Sequence, residues 1–285
     1  MAHSGPFLST LVPMENPTIS DHEFVLFQRL IYRLAGINLV PSKKVLLVGR
    51  LTKRLRHFGL QHFGEYYRVV TSGEHPAEAQ LMVDLLTTNE TCFFREPAHF
   101  HFLREFASKR RSRPLRVWSA ACSSGEEPYS IAMTLAETLS LSGHWEILAS
   151  DISKTVLERA ERGLYPMERA HDIEKNLLKA YCLKGVRSQE GTFLIEQSLR
   201  ERVAFRQLNL TTLEAADLGQ FDLIFLRNVM IYFDSDTKRK VVANLLPHLK
   251  RDGVFIVGHS ETLNGVTSEL VSIRPTLYCR PEFRQ

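Results

Sequence analysis

The sequence predicts an α/β protein, a doubly wound parallel sheet that follows a small all-α domain. Three observations predict it. From residue 115 onward, strand-like and helix-like segments alternate, the pattern of a sheet with helices on both faces. One of those segments, "FDLIFLRN" (221–228), is a nearly unbroken apolar run, as a buried central parallel strand is. Between residues 20 and 86, by contrast, apolar residues recur at helical intervals.

Taken in order, residues 1–19 contain Pro6, Pro13 and Pro17, show no period and read as a flexible tail. Ser20 and Glu23 have the spacing of a capping box. Phe24, Phe27, Ile31 and Leu34 continue a helix that Gly36 ends. A second helix carries Leu47, Leu51, Leu55 and Phe58 on one stripe and stops at Gly59. Two shorter helices fit 63–71 and 76–86. Residues 20–86 therefore form a helical domain, and 87–114 a linker. In 115–285, "LRVWSA" (115–120) and "WEILASD" (145–151) are strands. The helix between them has Pro128 at its start and a face of Ile131, Leu135 and Leu139. The helix after them is capped by Ser153 and closed by Gly163. "VAFRQLNL" (203–210) and 221–228 are further strands. A helix over about 235–250 contains Pro247, which should kink it. "GVFIVGHS" and "TLYCRP" complete the sheet. One block, 164–202, breaks the alternation, since connections are normally only ~2–6 residues long. Within it "GTFLIEQSL" alternates like a strand of a small antiparallel sheet, so the block reads as an inserted subdomain.

The chain has 285 residues, 44% of them hydrophobic, enough for one large or two modest domains with real cores. No run of apolar residues is long enough for a transmembrane helix. The N-terminus lacks the basic, apolar and cleavage regions of a secretory signal. Cys92, Cys122, Cys182 and Cys279 form no C-x-x-C pair and no zinc spacing. They read as reduced thiols of a cytoplasmic protein, with packing as the role for Cys92. The glycosylation sequon Asn89-Glu90-Thr91 is then a coincidence. His99 and His101 belong to no metal-ligand spacing, and no metal is expected.

In open α/β sheets, ligands bind outside the carboxyl ends of the strands. The first strand leads into "SAACSSGEEPYSIA" (119–132), whose small residues let a backbone loop approach a ligand closely. Glu126 and Glu127 follow, with no Lys or Arg in the loop. That chemistry argues against a nucleotide phosphate and for a ligand uncharged or cationic at this point. On spacing alone, the two acids can equally serve the helix dipole. The second strand ends in Asp151, where a carboxylate commonly accepts ribose hydroxyls. Asn209 and Leu210 suit an adenine edge and face. Arg227 and Asn228 end the next strand and precede Tyr232. Four consecutive strand ends thus describe a nucleoside with a cationic, unphosphorylated tail, as in S-adenosylmethionine.

The segments "LTTNETCFFRE", "SGEEPYSIA", "ASDI" and "RNVMIYF" resemble the signature stretches of the chemotaxis receptor methyltransferase family, CheR, in order and spacing over about residues 20–280. The resemblance implies a class I S-adenosylmethionine-dependent methyltransferase fold, with a seven-stranded Rossmann-like sheet whose last strand is antiparallel. It implies methyl transfer to glutamate side chains on the cytoplasmic helices of bacterial chemoreceptors, leaving S-adenosylhomocysteine. It assigns cofactor contacts to Asn89, Thr91, Arg95, Glu126, Asp151, Asn209, Leu210, Arg227 and Asn228. Arg95 and Tyr232 correspond to the residues at the reacting centre, with the linker folding over the cofactor. In some family members the inserted subdomain docks onto a C-terminal receptor peptide; whether it does so here stays open.

Net charge is only +4, but its distribution is uneven. Between 41 and 70 stand Lys43, Lys44, Arg50, Lys53, Arg54, Arg56 and Arg68 against one acid, Glu65. By itself such a face is usually solvated. Given the resemblance, Arg50, Lys53, Arg54 and Arg56 are expected to receive a glutamate-rich receptor helix. The segment "RNVM" is unlike the sequences that amino-methyltransferases use on bases, so no nucleic-acid partner is expected. Two other functions compete: methylation of some other carboxylate, and a module that senses the cofactor without turnover.

Overall fold

The computed structural model describes residues 17–213 and 218–283. The tail expected over 1–19 lies mostly outside them. Its last residue is not tail, because Ile19 is buried in the helical core. Helix α1 (Asp21–Ala35) starts on a complete capping box between Ser20 and Glu23. Ile19 and Phe24, both buried, stand at the positions of a hydrophobic staple. α1 ends at Gly36, where φ is 71° and a Cβ would meet the Thr211 and Thr237 methyls at 2.6 and 2.8 Å. Only glycine lets this turn press so closely onto the sheet domain. α2 (Lys44–Phe58) buries Leu47, Leu51 and Leu55 and stops at Gly59. α3 (Phe63–Thr71) and α4 (Pro76–Leu86) complete the domain, with Phe27 stacked on Tyr66 in its centre.

The expected linker contains a helix of its own, α5 (Ala98–Ser108), which buries Phe100, Leu103 and Phe106. The sheet domain then runs β1 (Leu115–Ala120), α6 (Glu126–Leu139), β2 (Trp145–Asp151) and α7 (Lys154–Arg162). The inserted block follows: β3 (Leu164–Pro166), α8 (Lys175–Tyr181), β4 (Cys182–Lys184), β5 (Thr192–Ile195) and α9 (Gln197–Arg200). Its strands form a separate antiparallel sheet in the order β3-β5-β4. The main sheet resumes with β6 (Val203–Gln207), β7 (Phe221–Leu226), α10 (Ser235–Leu245), β8 (Leu249–Val257), β9 (Val271–Arg274) and β10 (Leu277–Cys279). The seven strands lie in the order β6-β2-β1-β7-β8-β10-β9. The first five are parallel, and the last strand, β10, is antiparallel to both its neighbours. This is the class I methyltransferase sheet.

Three local expectations change. Pro247 ends α10 rather than kinking it; a 3-10 turn over Leu246–His248 takes the proline, which has no N–H to continue the helix. β9 is an additional strand, short and on the sheet edge. Ser153 stands at the N-cap of α7, but its hydroxyl makes no capping bond. Asp84 of α4 supplies the cap instead, accepting from the amides of Lys154 and Thr155 at 3.2 and 3.1 Å. Gln80, one turn earlier, donates to the Ile152 carbonyl at 2.9 Å. The helical domain is thereby fastened to the loop that follows Asp151. Among the described residues, no helix is long and apolar enough to cross a membrane.

Candidate active site

A single cavity lies where the carboxyl ends of β1, β2, β6 and β7 meet the helical domain and the segment after α4. Asn89, Thr91, Arg95, Asp151, Asn209, Leu210, Arg227, Asn228 and Tyr232 all line it. Ala35, Ile37 and Leu86 of the helical domain close its other side.

The loop after β1 turns tightly, with Ala121, Ser123 and Gly125 at φ of 75°, 50° and 97°. The turn aims the Ser123 amide at Asp151, which it reaches at 2.9 Å; the Ser153 amide bonds the other carboxylate oxygen at 2.9 Å. Burial raises the Asp151 carboxyl above its ordinary range, against the pull of those two amides. The Ile152 amide adds a third pull on the same carboxylate. A carboxylate at this end, with apolar Ile37 and Leu210, fits a nucleoside; the lining also holds Glu127 and two arginines, Arg95 and Arg227, the second of them paired with Glu127.

The segment 87–95 is held from several sides. Arg50 of α2 donates to the carbonyls of Leu86 and Thr87 at 3.0 and 2.8 Å. Ser123 donates to the Asn89 carbonyl at 2.8 Å, and Arg169 of the inserted block to that of Thr91 at 2.7 Å. Phe93 is fully buried against Tyr165 and Phe193, and Phe94 packs edge-on to Phe100. Among the described residues, Arg95 makes one side-chain hydrogen bond, to the Glu90 carbonyl at 3.2 Å. Cys92 is only half-buried.

Several residues take places the sequence did not indicate. Glu126 does not line the cavity. It is 1% exposed, accepts from the Ser124 hydroxyl at 2.7 Å and faces Arg169 at 3.3 Å; burial raises its carboxyl. Its neighbour Glu127 lines the cavity instead and accepts from Ser119 at 2.6 Å. Asn209 spends its amide on the domain junction, donating to the Leu34 carbonyl at 2.8 Å and accepting from the Thr211 amide at 3.0 Å. The Arg227 guanidinium is also taken, by Glu127 at 2.7 Å, Glu96 at 3.0 Å and the Arg95 carbonyl. Asn228 has φ 57°, and the Glu261 carboxylate accepts from its amide and from those of Met230 and Gly258. Glu261 thus shapes the turn that carries Tyr232, whose carbonyl accepts from the Asn38 amide at 2.8 Å. Glu261 gave no sequence signal; Glu96 and Glu127 stand within quoted segments, but their pairing with Arg227 could not be read because that partner is distant in the chain.

The expected basic face is only partly a free surface. Arg54 grips the buried Glu78 with Nε and Nη2, each at 2.8 Å, and Arg50 is committed to the end of α4. Lys53 is exposed, and Arg56, exposed too, is engaged by a partner. His99 is buried and joins Glu96 and His259, from a distant loop, in a group whose donor atoms lie within 4.8 Å of one another; His101 is exposed. Glu96 is already paired with the Arg227 guanidinium, so a cation here would lie against a buried positive charge.

Residues 89–279 match the family model described as "CheR methyltransferase, SAM binding domain", and residues 22–87 match "CheR methyltransferase, all-alpha domain". The chain is 43% identical over 265 residues to a chemotaxis protein methyltransferase of Escherichia coli strain K12, covering 93% of this chain and 92% of that one. It is 41% identical over 276 residues to one from Salmonella typhimurium, covering 96% of each. It is 42% identical over 259 residues to chemotaxis protein methyltransferase 2 of Pseudomonas aeruginosa, covering 90% and 92%. The two family models meet where α4 passes into the segment that closes the cavity, and together they span nearly the whole chain: this protein belongs to the CheR methyltransferases.

Proposed function

We propose that the protein transfers the methyl group of S-adenosylmethionine to glutamate side-chain carboxylates on the cytoplasmic helices of bacterial chemoreceptors. One observation carries this reading: Arg95 and Tyr232, from separate segments, line the same cavity as Asp151. In the transfer a carboxylate oxygen supplies the electron pair of the new O–CH3 bond. The S–CH3 bond breaks, and its pair stays on sulfur, giving a methyl ester and S-adenosylhomocysteine.

The incoming glutamate is already ionised near neutral pH, so no general base is required. The chain's task is alignment, which can lower a barrier by ~7–11 kcal/mol in favourable cases. Asp151 holds the ribose, and Ile37 and Leu210 keep the adenosine side dry. The Arg95 fork can hold a carboxylate through two parallel bonds, and the Tyr232 hydroxyl can donate one more. Lys53, exposed on α2, favours approach of an acidic helix. The outer strand β4, with Leu183 49% exposed, offers an edge to which a receptor peptide could pair.

Incubation with labelled S-adenosylmethionine and receptor fragments should give base-labile methyl esters. In single turnover at saturating cofactor, Arg95→Lys should slow transfer far more than it weakens cofactor binding, and Tyr232→Phe should slow it less. Product formation without receptor labelling would point to another carboxylate. Near-normal single-turnover rates in Arg95→Ala would remove Arg95 from the chemistry.

A further inference from the structure

We propose that Glu96 is a positioning residue for methyl transfer, fixing Arg95 through Arg227. This rests on the reading of Arg95 above. The residues on either side of Arg95, Phe94 and Glu96, have φ of 52° and 61°, a left-handed conformation that non-glycine residues seldom adopt. Such a backbone persists only where its surroundings hold it. The Phe94 side of the bend is held by its amide, which donates to Ser130 Oγ at 2.9 Å. The other side is held by the Glu96 carboxylate. It takes Arg227 Nη2 at 3.0 Å, Asn228 Nδ2 at 3.2 Å and the His259 amide at 3.2 Å. Arg227 in turn donates to the Arg95 carbonyl and is steadied by Glu127 at 2.7 Å.

Among the described residues, the Arg95 side chain has a single hydrogen bond of its own, so its direction is inherited from this backbone. Glu96 is not in the cavity lining, so it acts on the reaction only through its partners: Arg227 and Asn228, which line the cavity, and the Arg95 backbone that Arg227 holds. Burial alone would raise the Glu96 carboxyl. Arg227 and the surrounding donors outweigh burial and leave it below the ordinary carboxylate range, so the clamp is charged at neutral pH. The same hub joins three segments far apart in sequence: 94–96, 227–228 and the loop after β8.

The test is a double-mutant cycle on the full-length protein, read as single-turnover rate at saturating S-adenosylmethionine. Glu96→Gln keeps the size of the side chain and removes the charge that holds Arg227. A displacement of Arg95 of about an ångström can cost ~100-fold in rate, so a loss of that order is expected. Affinity for S-adenosylhomocysteine should stay near normal, and kcat should fall more than KM for the receptor rises. Glu96→Asp, which keeps the charge, should recover part of the rate, and it serves as the probe should the Gln variant fail to fold. In an Arg95→Ala background, either Glu96 substitution should add almost nothing, because residues acting as one unit are non-additive. An equal loss in both backgrounds would overturn the proposal, as would an undiminished rate for Glu96→Gln in the otherwise unaltered protein. Near-normal chemistry in Arg95→Ala alone would instead bring down the reading of Arg95, and this inference with it.

Discussion

Arg54 and Lys53 are neighbours in α2 and were both expected to meet the receptor, yet charge reversal at each should have opposite consequences. Arg54 holds Glu78 with two bonds of 2.8 Å, and Glu78 also accepts from the Tyr66 hydroxyl at 2.7 Å. The side chains of the pair are 18% and 6% exposed, so little solvent screening applies. Removing one partner of such a pair leaves the other charge buried and uncompensated, at a cost of ~3–5 kcal/mol. Arg54→Glu adds repulsion to that cost. Against a typical domain stability of ~5–15 kcal/mol, the variant should loosen or unfold α2 and α4. Its methylation defect would then reflect lost structure and should persist at high salt. Lys53 is exposed. Lys53→Glu should change stability by no more than ~0.5 kcal/mol and leave cofactor affinity alone. It should slow receptor methylation at low salt, with the defect shrinking as the screening length falls to ~8 Å at physiological ionic strength. Urea unfolding followed by circular dichroism, beside initial rates of methyl-ester formation over a salt series, separates the two. An Arg54→Glu protein as stable as the parent would refute the structural role of the pair. Normal low-salt rates in Lys53→Glu would reduce the exposed face of α2 to a solvated surface.

Asp151→Asn should weaken S-adenosylmethionine and S-adenosylhomocysteine alike, by ~1.5–3 kcal/mol for lost bonds to a charged group; unchanged calorimetric affinity would refute the ribose assignment. Because burial raises the Asp151 carboxyl, cofactor affinity in the parent protein should begin to fall at a pH above the ordinary carboxylate range as pH is lowered, and the Asn variant should lack that limb. His99 titrates at about 4 in the folded protein against 6.5 for the free side chain, mainly because it is buried. The unfolded chain therefore binds the extra proton between those values. Stability contributed by neutral His99 is full above pH 6.5 and is lost as pH falls towards 4, up to roughly 3 kcal/mol. His99→Gln should flatten that part of a stability–pH profile, and an unchanged profile would refute the assignment.

What the sequence by itself determined is what depends on neighbours along the chain. The helices 63–71 and 76–86, the Ser20–Glu23 box and the stops at Gly36 and Gly59 are legible because capping and periodicity are local properties. The alternation of strands and helices, and the apolar run of β7, likewise placed the sheet and the strand ends around which the cavity forms. The cofactor was legible because four consecutive strand ends each carry a residue suited to a nucleoside, and the acids after β1 argue against a phosphate. Tertiary structure alone decided which polar side chains are free. Arg50, Arg54, Asn209 and Arg227 look like ligand contacts in a sequence, but the first two are occupied by α4, the third by α1 and the fourth by Glu96 and Glu127. The cap of α7 comes from Asp84 for the same reason: a buried donor or charge takes whichever partner the fold brings within reach, and no spacing along the chain reveals it. The exchange of Glu126 for Glu127 in the cavity follows from a helix that turns adjacent residues to different sides, one towards Arg169 and one towards Arg227.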